Sequence, residues 1–333
     1  MTQQEFLQDL EAFLQEWHND EPTVWVHPSG STGTPKPMQV EKERMMASAR
    51  LTCSFLGLKE GDSALLCMPL QYIAGKMVVV RSLVAGLKLI PVAPSGHPLK
   101  DLKEAPTFAA MIPMQVFNTL QVPEERDIFM NIKHLIIGGG AIDEALACEL
   151  KDFPNQVWST YGMTETLSHI ALRRLNGEDA SDWYTPFDSV NIRLSEEGTL
   201  IIHAPNVCAE ELTTNDIAEI NEEGKFRILG RKDNTINSGG VKIQIEQVEA
   251  ALKAHLDIPF QITARKDAKF GEIVVLIYNK VKDEASVRQA CEEALPTYWV
   301  PKAYIAVDEL PMTGTGKPDR ATARQIASLP VSS

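Results

Sequence analysis

Between residues 64 and 159, short apolar β-prone runs alternate with stretches of helical spacing, and this rhythm limits the fold more than any other feature of the chain. Residues 64–68, 87–91, 108–111, 133–137 and 157–159 read as strands. Residues 76–85, 114–120 and 143–151 read as helices between them, and 41–55 as a helix ahead of the first. A helix after nearly every strand is the signature of parallel crossovers, so an α/β domain with a mostly parallel sheet is expected. Ahead of it, Phe6, Leu7, Leu10, Phe13, Leu14 and Trp17 fall at helical spacing behind a capping Thr2, which predicts an amphipathic helix over residues 2–17. From about residue 190 the texture turns to short β-rich pieces, at 191–194, 199–203 and 225–229, with turns at Glu197-Gly198 and Glu223-Gly224. The remainder mixes strands (261–264, 273–278, 304–307) with helices (245–255, 285–294) and has enough apolar residues for its own small core. The expected domains are therefore 1–232, with a β-rich subdomain over about 190–232, and an α+β domain over 233–333.

The 333 residues, 44% hydrophobic and 23% charged, suit a globular enzyme of two or more compact units. A formal charge of -13 argues against nucleic acid or an anionic membrane as partner, so any polyanion must be held by local cations such as Lys36, Arg231, Lys242 and Lys317. Five scattered cysteines with no C-x-x-C pair read as reduced thiols, and no apolar run is long enough to span a bilayer; a cytoplasmic protein is expected.

After the β-prone Val24-Trp25-Val26-His27 comes Ser29-Gly30-Ser31-Thr32-Gly33-Thr34-Pro35-Lys36. Glycines let backbone N–H groups approach an anion, hydroxyls donate to it and the lysine supplies opposite charge, so the run suits a nucleotide-phosphate loop. It is not a Walker A loop, because prolines flank Lys36 where glycine and a hydroxyl residue are required. Alone, the run would equally fit a flexible linker. Two further loops follow strand ends, where ligands of α/β sheets collect: Gly138-Gly139-Gly140-Ala141 and Tyr161-Gly162-Met163-Thr164-Glu165. Tight turns are the plain alternative for both. Aspartates flank turn signals at Thr214-Asn215-Asp216 and Gly230-Arg231-Lys232-Asp233, and Lys317 sits on a Gly- and Pro-bounded tail loop from which it could be carried to a ligand.

In this order the motifs resemble those of the adenylate-forming enzymes, the family of acyl-CoA synthetases, firefly luciferase and peptide-synthetase adenylation domains. The loop from Ser29 to Lys36 matches the family's phosphate loop, and Tyr161 to Glu165 its Tyr-Gly-x-Thr-Glu motif. Thr214-Asn215-Asp216 is similar to Thr-Gly-Asp, Gly230-Arg231-x-Asp233 with Ser238-Gly239-Gly240 to the hinge motif, and Gly316-Lys317 to the terminal lysine motif. Within the family the chain is similar to the o-succinylbenzoate-CoA ligases of menaquinone biosynthesis, through Tyr161 to Ser168 and through Pro69-Leu70-Gln71-Tyr72-Ile73-Ala74-Gly75 running on to Arg81, Ala85 and Gly86.

The resemblance implies a ligase that joins a small carboxylic acid to CoA through an acyl-adenylate, with Mg²⁺ as cofactor and ATP and CoA as co-substrates. It implies β- and γ-phosphate contacts from Ser29, Ser31, Thr32, Gly33 and Lys36, Mg²⁺ on Glu165, and the α-phosphate on Thr164. Gly138, Gly139, Gly140 and Tyr161 would frame the adenine, with Gly162 among the nucleotide-binding residues, and Asp216 with Arg231 the ribose. Lys317 would bridge carboxylate and α-phosphate from a mobile C-terminal lid turning about Asp233, with Gly239 and Gly240 lining the pantetheine tunnel. For an acid with a second carboxylate, Arg81 is the expected partner, followed by Ser168 and Lys76, with Tyr72 and Gly75 at the substrate gate. A solvated helix arginine is the plain alternative for Arg81. Departures from the family are Asn215 for glycine, Pro37 for glycine, Tyr72 for histidine and only 28 residues before the phosphate loop, from which a missing or replaced first subdomain is expected. A ligase for another aryl or acyl acid, a module that loads a carrier protein and a non-catalytic nucleotide-binding protein remain open, and a homo-oligomer is compatible with all.

Overall fold

The computed structural model describes residues 1–26, 37–140, 142, 144–313 and 318–329. The chain forms two compact units, one of Met1–Arg193, Ile201–Leu212 and Ile220–Arg227, the other of Leu194–Leu200, Thr213–Glu219 and Ile228–Ser333.

The first unit opens with α1 (Gln3–His18), whose Thr2 cap and Glu5 carboxylate close a reciprocal capping box. Its buried face is Phe6, Leu10 and Phe13, and the Gln3 amide ties it to Pro91 O and Ala93 N–H. Strands β1 (Thr23–Val26) and β2 (Met38–Glu41) pair antiparallel with Val26 opposite Met38. The chain continues through α2 (Lys42–Leu56), β3 (Ser63–Leu66), α3 (Ile73–Ala85), β4 (Lys88–Pro91) and β5 (Phe108–Met111). Then follow α4 (Pro113–Leu120), α5 (Pro123–Met130), β6 (His134–Ile137), α6 (Glu144–Leu150), β7 (Gln156–Gly162), β8 (His169–Arg174) and β9 (Thr185–Pro186).

Seven of these strands form one sheet in the order β4-β3-β5-β6-β7-β8-β9. The first five are parallel and β8 and β9 add antiparallel, which bears out the expected mostly parallel α/β sheet. The central strands β5 and β6 bury every residue, as strands covered on both faces do: Phe108–Met111 and His134–Ile137 are buried throughout. Leu65, Leu99, Met111, Phe129, Ile132, Leu135 and Val157 make the core beside them. The sequence reading starts α3 at Lys76, whereas the helix begins one turn earlier at Ile73. In this unit it also leaves out β2, α5, β8 and β9.

A four-stranded sheet of β10 (Asn191–Leu194), β11 (Thr199–His203), β12 (Leu212–Ile220) and β13 (Phe226–Arg231), in that order, has its residues divided between the units. Thr214-Asn215-Asp216, read from sequence as a turn signal, lies inside β12. A 3₁₀ turn over Lys232–Asn234 follows β13.

The second unit continues with β14 (Thr235–Ser238) and β15 (Val241–Gln244), joined by Gly239 and Gly240 with φ of +59° and +85°. Two successive left-handed positions suit a primed hairpin turn, which glycine adopts without a side-chain clash. Then come α7 (Ile245–Lys253), β16 (Phe260–Asp267), β17 (Gly271–Asn279), α8 (Glu284–Ala294), β18 (Ala303–Val307) and α9 (Arg320–Ser328). β17 pairs β16 antiparallel, β18 parallel and β14 through Ser238 and Gly271. Ile236, Ile243, Val248, Leu252, Ile262, Leu276, Val287 and Cys291 form its core. Among the described residues no helix is long and apolar enough to cross a membrane.

Candidate active site

A cavity of the first unit opens at the carboxyl ends of its parallel strands, where ligands of open α/β sheets bind. Met68 follows β3, Ala110, Met111 and Ile112 end β5, Ile136, Gly138 and Gly139 end β6, and Thr160 and Gly162 end β7. Ile73, Ala74 and Arg81 of α3 and Met163, Thr164, Leu167, Ser168 and His169 complete the wall. β6 and β7 converge here: a Cβ on Gly138 would lie 2.5 Å from Thr160 Oγ1. Of the triglycine run, Gly138 and Gly139 line the cavity and Gly140 does not.

The segment after β7 is held in an unusual shape. Pairing of β7 with β8 slips between Tyr161 and Gly162, a bulge that re-aims the strand end. Tyr161 is fixed at that end by the rings of Phe226 and Tyr184, 5.0 and 5.8 Å away between centroids. Thr166, buried, accepts from Met163 N–H at 3.0 Å and reaches the Ser168 carbonyl at 2.8 Å, closing a tight loop. Leu167 inside it has φ +66°, a conformation that leucine takes only when its surroundings impose it. Thr164, Glu165 and Ser168 all ride on this loop, with Glu165 exposed and Thr164 half-buried.

Arg81 is 2% exposed, and its Nη2 donates to Ser168 Oγ at 2.5 Å. Its Nε has no partner, and among the described residues no carboxylate pairs with it. Burial pulls its pKa down to about 10, so it stays cationic at neutral pH. An isolated buried charge is costly unless an anion is supplied. Behind it, burial and the Arg81 charge hold the His169 imidazole well below the ordinary histidine pKa, hence neutral.

Lys76 sits on the same helix but serves elsewhere. Its Nζ donates to Trp25 O at 2.5 Å, pairs with Glu16 Oε2 at 3.2 Å and lies 4.9 Å above the Phe13 ring. The Glu16 carboxylate also accepts from Trp25 N–H at 2.9 Å, so this group ties α1 to the strand that leads into residues 27–36. Tyr72 caps α3 outside the cavity wall. Gly75 also lies outside it; a Cβ there would meet Pro69 O at 2.5 Å, so the glycine lets α3 pack on the preceding loop.

In the second unit Arg231 bridges the two acidic candidates, Asp216 and Asp233. It donates to Asp216 Oδ1 at 3.2 Å and to Asp233 Oδ2 at 2.8 Å, and Asn215 Nδ2 lies 3.4 Å from the same Asp233 oxygen. Asn215, the departure from the family glycine, therefore touches the expected hinge residue. Ser29, Ser31, Thr32, Gly33, Lys36 and Lys317 lie outside the described residues. Among the described residues no group of three or more His, Cys, Asp or Glu side chains is arranged to hold a metal ion. A Mg²⁺ ion carried chiefly by nucleotide phosphates needs only one or two protein carboxylates, and the exposed Glu165, next in sequence to the cavity-lining Thr164, fits that demand.

Sequence reasoning did not single out Thr52, Thr166, Leu167 or His169. The one available signal is His169, a polar ring opening the apolar run Ile170-Ala171-Leu172.

Comparison with known proteins extends these observations over the whole chain. Residues 2–207 match the AMP-binding enzyme family and residues 247–317 the AMP-binding enzyme C-terminal domain. The 2-succinylbenzoate--CoA ligase of Listeria monocytogenes is 26% identical over 93% of this chain and 71% of its own length, and that of Bacillus mycoides 27% over 95% and 73%. Among solved structures, an acyl-CoA synthetase (AMP-forming)/AMP-acid ligase II-like protein from Dyadobacter fermentans is 32% identical, with TM-score 0.67 over 97% of this chain and 95% of that one. The o-succinylbenzoate CoA synthetase (MenE) of Bacillus subtilis, bound to the acyl-adenylate OSB-AMP, shares the fold at TM-score 0.74 and 23% identity, over 90% and 68%. With its larger part and its C-terminal part each matched in turn, the chain belongs to the AMP-binding enzyme family.

Proposed function

We propose that the protein is an ATP-dependent acid:CoA ligase that works through an acyl-adenylate, and that its acid is o-succinylbenzoate. The observation that carries the choice of acid is Arg81: a buried guanidinium with no carboxylate partner among the described residues, in a largely apolar cavity, asks for an organic acid with a second carboxylate. The names of the Listeria and Bacillus relatives support the same acid.

A carboxylate is a poor acyl donor because oxide cannot leave. Its oxygen attacks the α-phosphorus of ATP, pyrophosphate leaves, and the mixed anhydride then reacts with the CoA thiolate to give thioester and AMP. The protein must align two anions and stabilise charge on the phosphoryl oxygens; it needs no nucleophile of its own. In this reading Ser29, Ser31, Thr32, Gly33 and Lys36 hold the β- and γ-phosphates, and Thr164 the α-phosphate. Glu165 would hold Mg²⁺, which supplies charge neutralisation across the phosphates when bound. Gly138, Gly139, Gly140 and Tyr161 bound the adenine, Asp216 and Arg231 the ribose, and Arg81 with Ser168 the distal carboxylate, with Gly162 also among the nucleotide-binding residues. Lys317 brings a mobile cation to the reacting carboxylate.

The test is pyrophosphate release from ATP across a panel of mono- and dicarboxylic acids, then thioester formation with free CoA. Release specific to o-succinylbenzoate, and thioester only with CoA, are expected. Preference for another acid sinks the choice of substrate, and turnover only with a carrier protein favours the carrier-loading reading.

The thioester step needs new neighbours around the adenylate, so the lysine that serves the first step has to leave. We place the pivot at Asp233, in the 3₁₀ turn after β13, with 233–333 as the moving domain and Gly239 and Gly240 as its contribution to the pantetheine tunnel. Proline fixes φ and removes the backbone donor. Asp233→Pro is expected to slow thioester formation at least about tenfold more than adenylate formation, because gating mutations strike one conformational step. Equal loss in both half-reactions, measured by single turnover, would refute the pivot.

A further inference from the structure

Arg81 is the first link of a chain of side chains that leads away from the cavity. Its Nη2 donates to Ser168 Oγ at 2.5 Å; Ser168 Oγ lies 3.2 Å from His169 Nδ1; His169 Nε2 lies 3.0 Å from Thr52 Oγ1; and Thr52 Oγ1 donates to Ser48 O at 3.3 Å. The members come from α3, from the start of β8 and from α2. Thr52 and His169 are both buried, so water does not compete for their hydrogen bonds.

Counting protons gives the chain a direction. Arginine only donates, so Ser168 Oγ accepts from it. The Ser48 carbonyl only accepts, so it takes the single hydroxyl proton of Thr52. Thr52 is left to offer His169 a lone pair, which places the imidazole proton on Nε2. Nδ1 then accepts the Ser168 proton. Every link carries one proton, and the chain ends in a helix carbonyl that cannot rotate.

We infer that Thr52 and His169 are positioning residues for the substrate's second carboxylate: they draw the Ser168 proton onto His169 Nδ1, so that Ser168 presents only lone pairs to Arg81, which fixes the Arg81 side chain and leaves its other N–H groups for the acid. The inference rests on the proposed reading of the cavity as the site of a two-carboxylate acid. Its physical basis is preorganisation. An arginine has a long, rotamer-rich side chain, and ordering it before the ligand arrives removes that cost from binding. The neutral imidazole fits the same direction, since burial and the Arg81 charge both oppose its protonation.

Two variants and one spectrum test it. Thr52→Val removes the lone pair at nearly constant shape, and Thr52→Ser keeps it. The expected result is a KM for o-succinylbenzoate about tenfold higher in Thr52→Val, the worth of one buried hydrogen bond, and close to wild type in Thr52→Ser. The kcat and the KM for ATP stay unchanged in both. An unchanged KM for the acid, or an equal loss in kcat or in the KM for ATP, overturns the inference. Long-range ¹H–¹⁵N spectra of the imidazoles read the tautomer directly, without substrate: Nε2–H for His169 in wild type and Thr52→Ser, moving toward Nδ1–H in Thr52→Val. An Nδ1–H tautomer in the wild-type protein overturns the proposal whatever acid is used. Absence of wild-type activity with o-succinylbenzoate defeats the substrate reading instead, and the spectrum still decides the relay.

Discussion

Replacing Arg81 with methionine is expected to lower kcat/KM for o-succinylbenzoate by about 10³-fold while the unliganded protein melts at or above the wild-type temperature. The kinetic loss follows from removing the charged partner of a desolvated carboxylate, which costs roughly 2–5 kcal/mol. The stability result has the opposite sign for a physical reason. In the free protein the guanidinium is buried with its Nε unpartnered and with no carboxylate beside it among the described residues, so the fold carries an uncompensated desolvation cost. Its pKa, pulled down by burial to about 10, reports that cost. Methionine occupies similar space without it, and exchanging buried charge for apolar volume is often neutral or stabilising by about 1–4 kcal/mol. The measurements are pyrophosphate release against acid concentration and thermal melts with and without the acid. Wild-type protein should gain melting temperature on adding the acid, and the variant should not. Unchanged kcat/KM, or a variant that melts several degrees lower with intact kinetics, would show that Arg81 belongs to the scaffold.

Much of this was legible in one dimension, for a reason that also marks its limit. Strands buried on both faces write themselves as unbroken apolar runs, so Phe108–Met111 is placed to the residue from sequence. β8 escapes because it opens on His169 and closes on Arg173 and Arg174, and β12 because Thr-Thr-Asn-Asp reads as a turn although Thr214 and Ala218 alternate inward. α5 and α9 are short, charged and marked mainly by Pro123 and by the Asp319 cap. In the site, Arg81 and Ser168 are 87 positions apart and meet, whereas Lys76, five positions from Arg81, does not. Five residues turn a helix by roughly 500°, leaving the two side chains about 140° apart, so one helix face could not present both. Thr52 and His169 carried no motif at all. Their meaning lies in buried partners, which composition and spacing do not encode.

Gly162→Ala is expected to lose both stability and chemistry. The sequence reading places this glycine among the nucleotide-binding residues; the packing gives it a second and stricter duty. An added Cβ would lie 2.4 Å from Ser168 O and 2.5 Å from His169 Cα, both backbone atoms with no rotamer to swing away. Relief requires opening the bulge at Tyr161 and Gly162, and the loop bounded by that bulge carries Thr164, Glu165 and Ser168. Overpacking of this kind costs roughly 1–3 kcal/mol or more. Displacing reacting-group contacts by about 1 Å costs on the order of 10²-fold in rate. Denaturant unfolding should therefore show a lower midpoint with an unchanged slope, and adenylate formation should fall by about 10²-fold even where the variant is fully folded. The KM for the acid should rise as well, because Ser168 leaves its place beside Arg81. A variant with wild-type midpoint and wild-type pyrophosphate release would mean that β7 and β8 do not approach as closely as these distances require. The bulged strand end would then not be the device that aims the loop at the cavity.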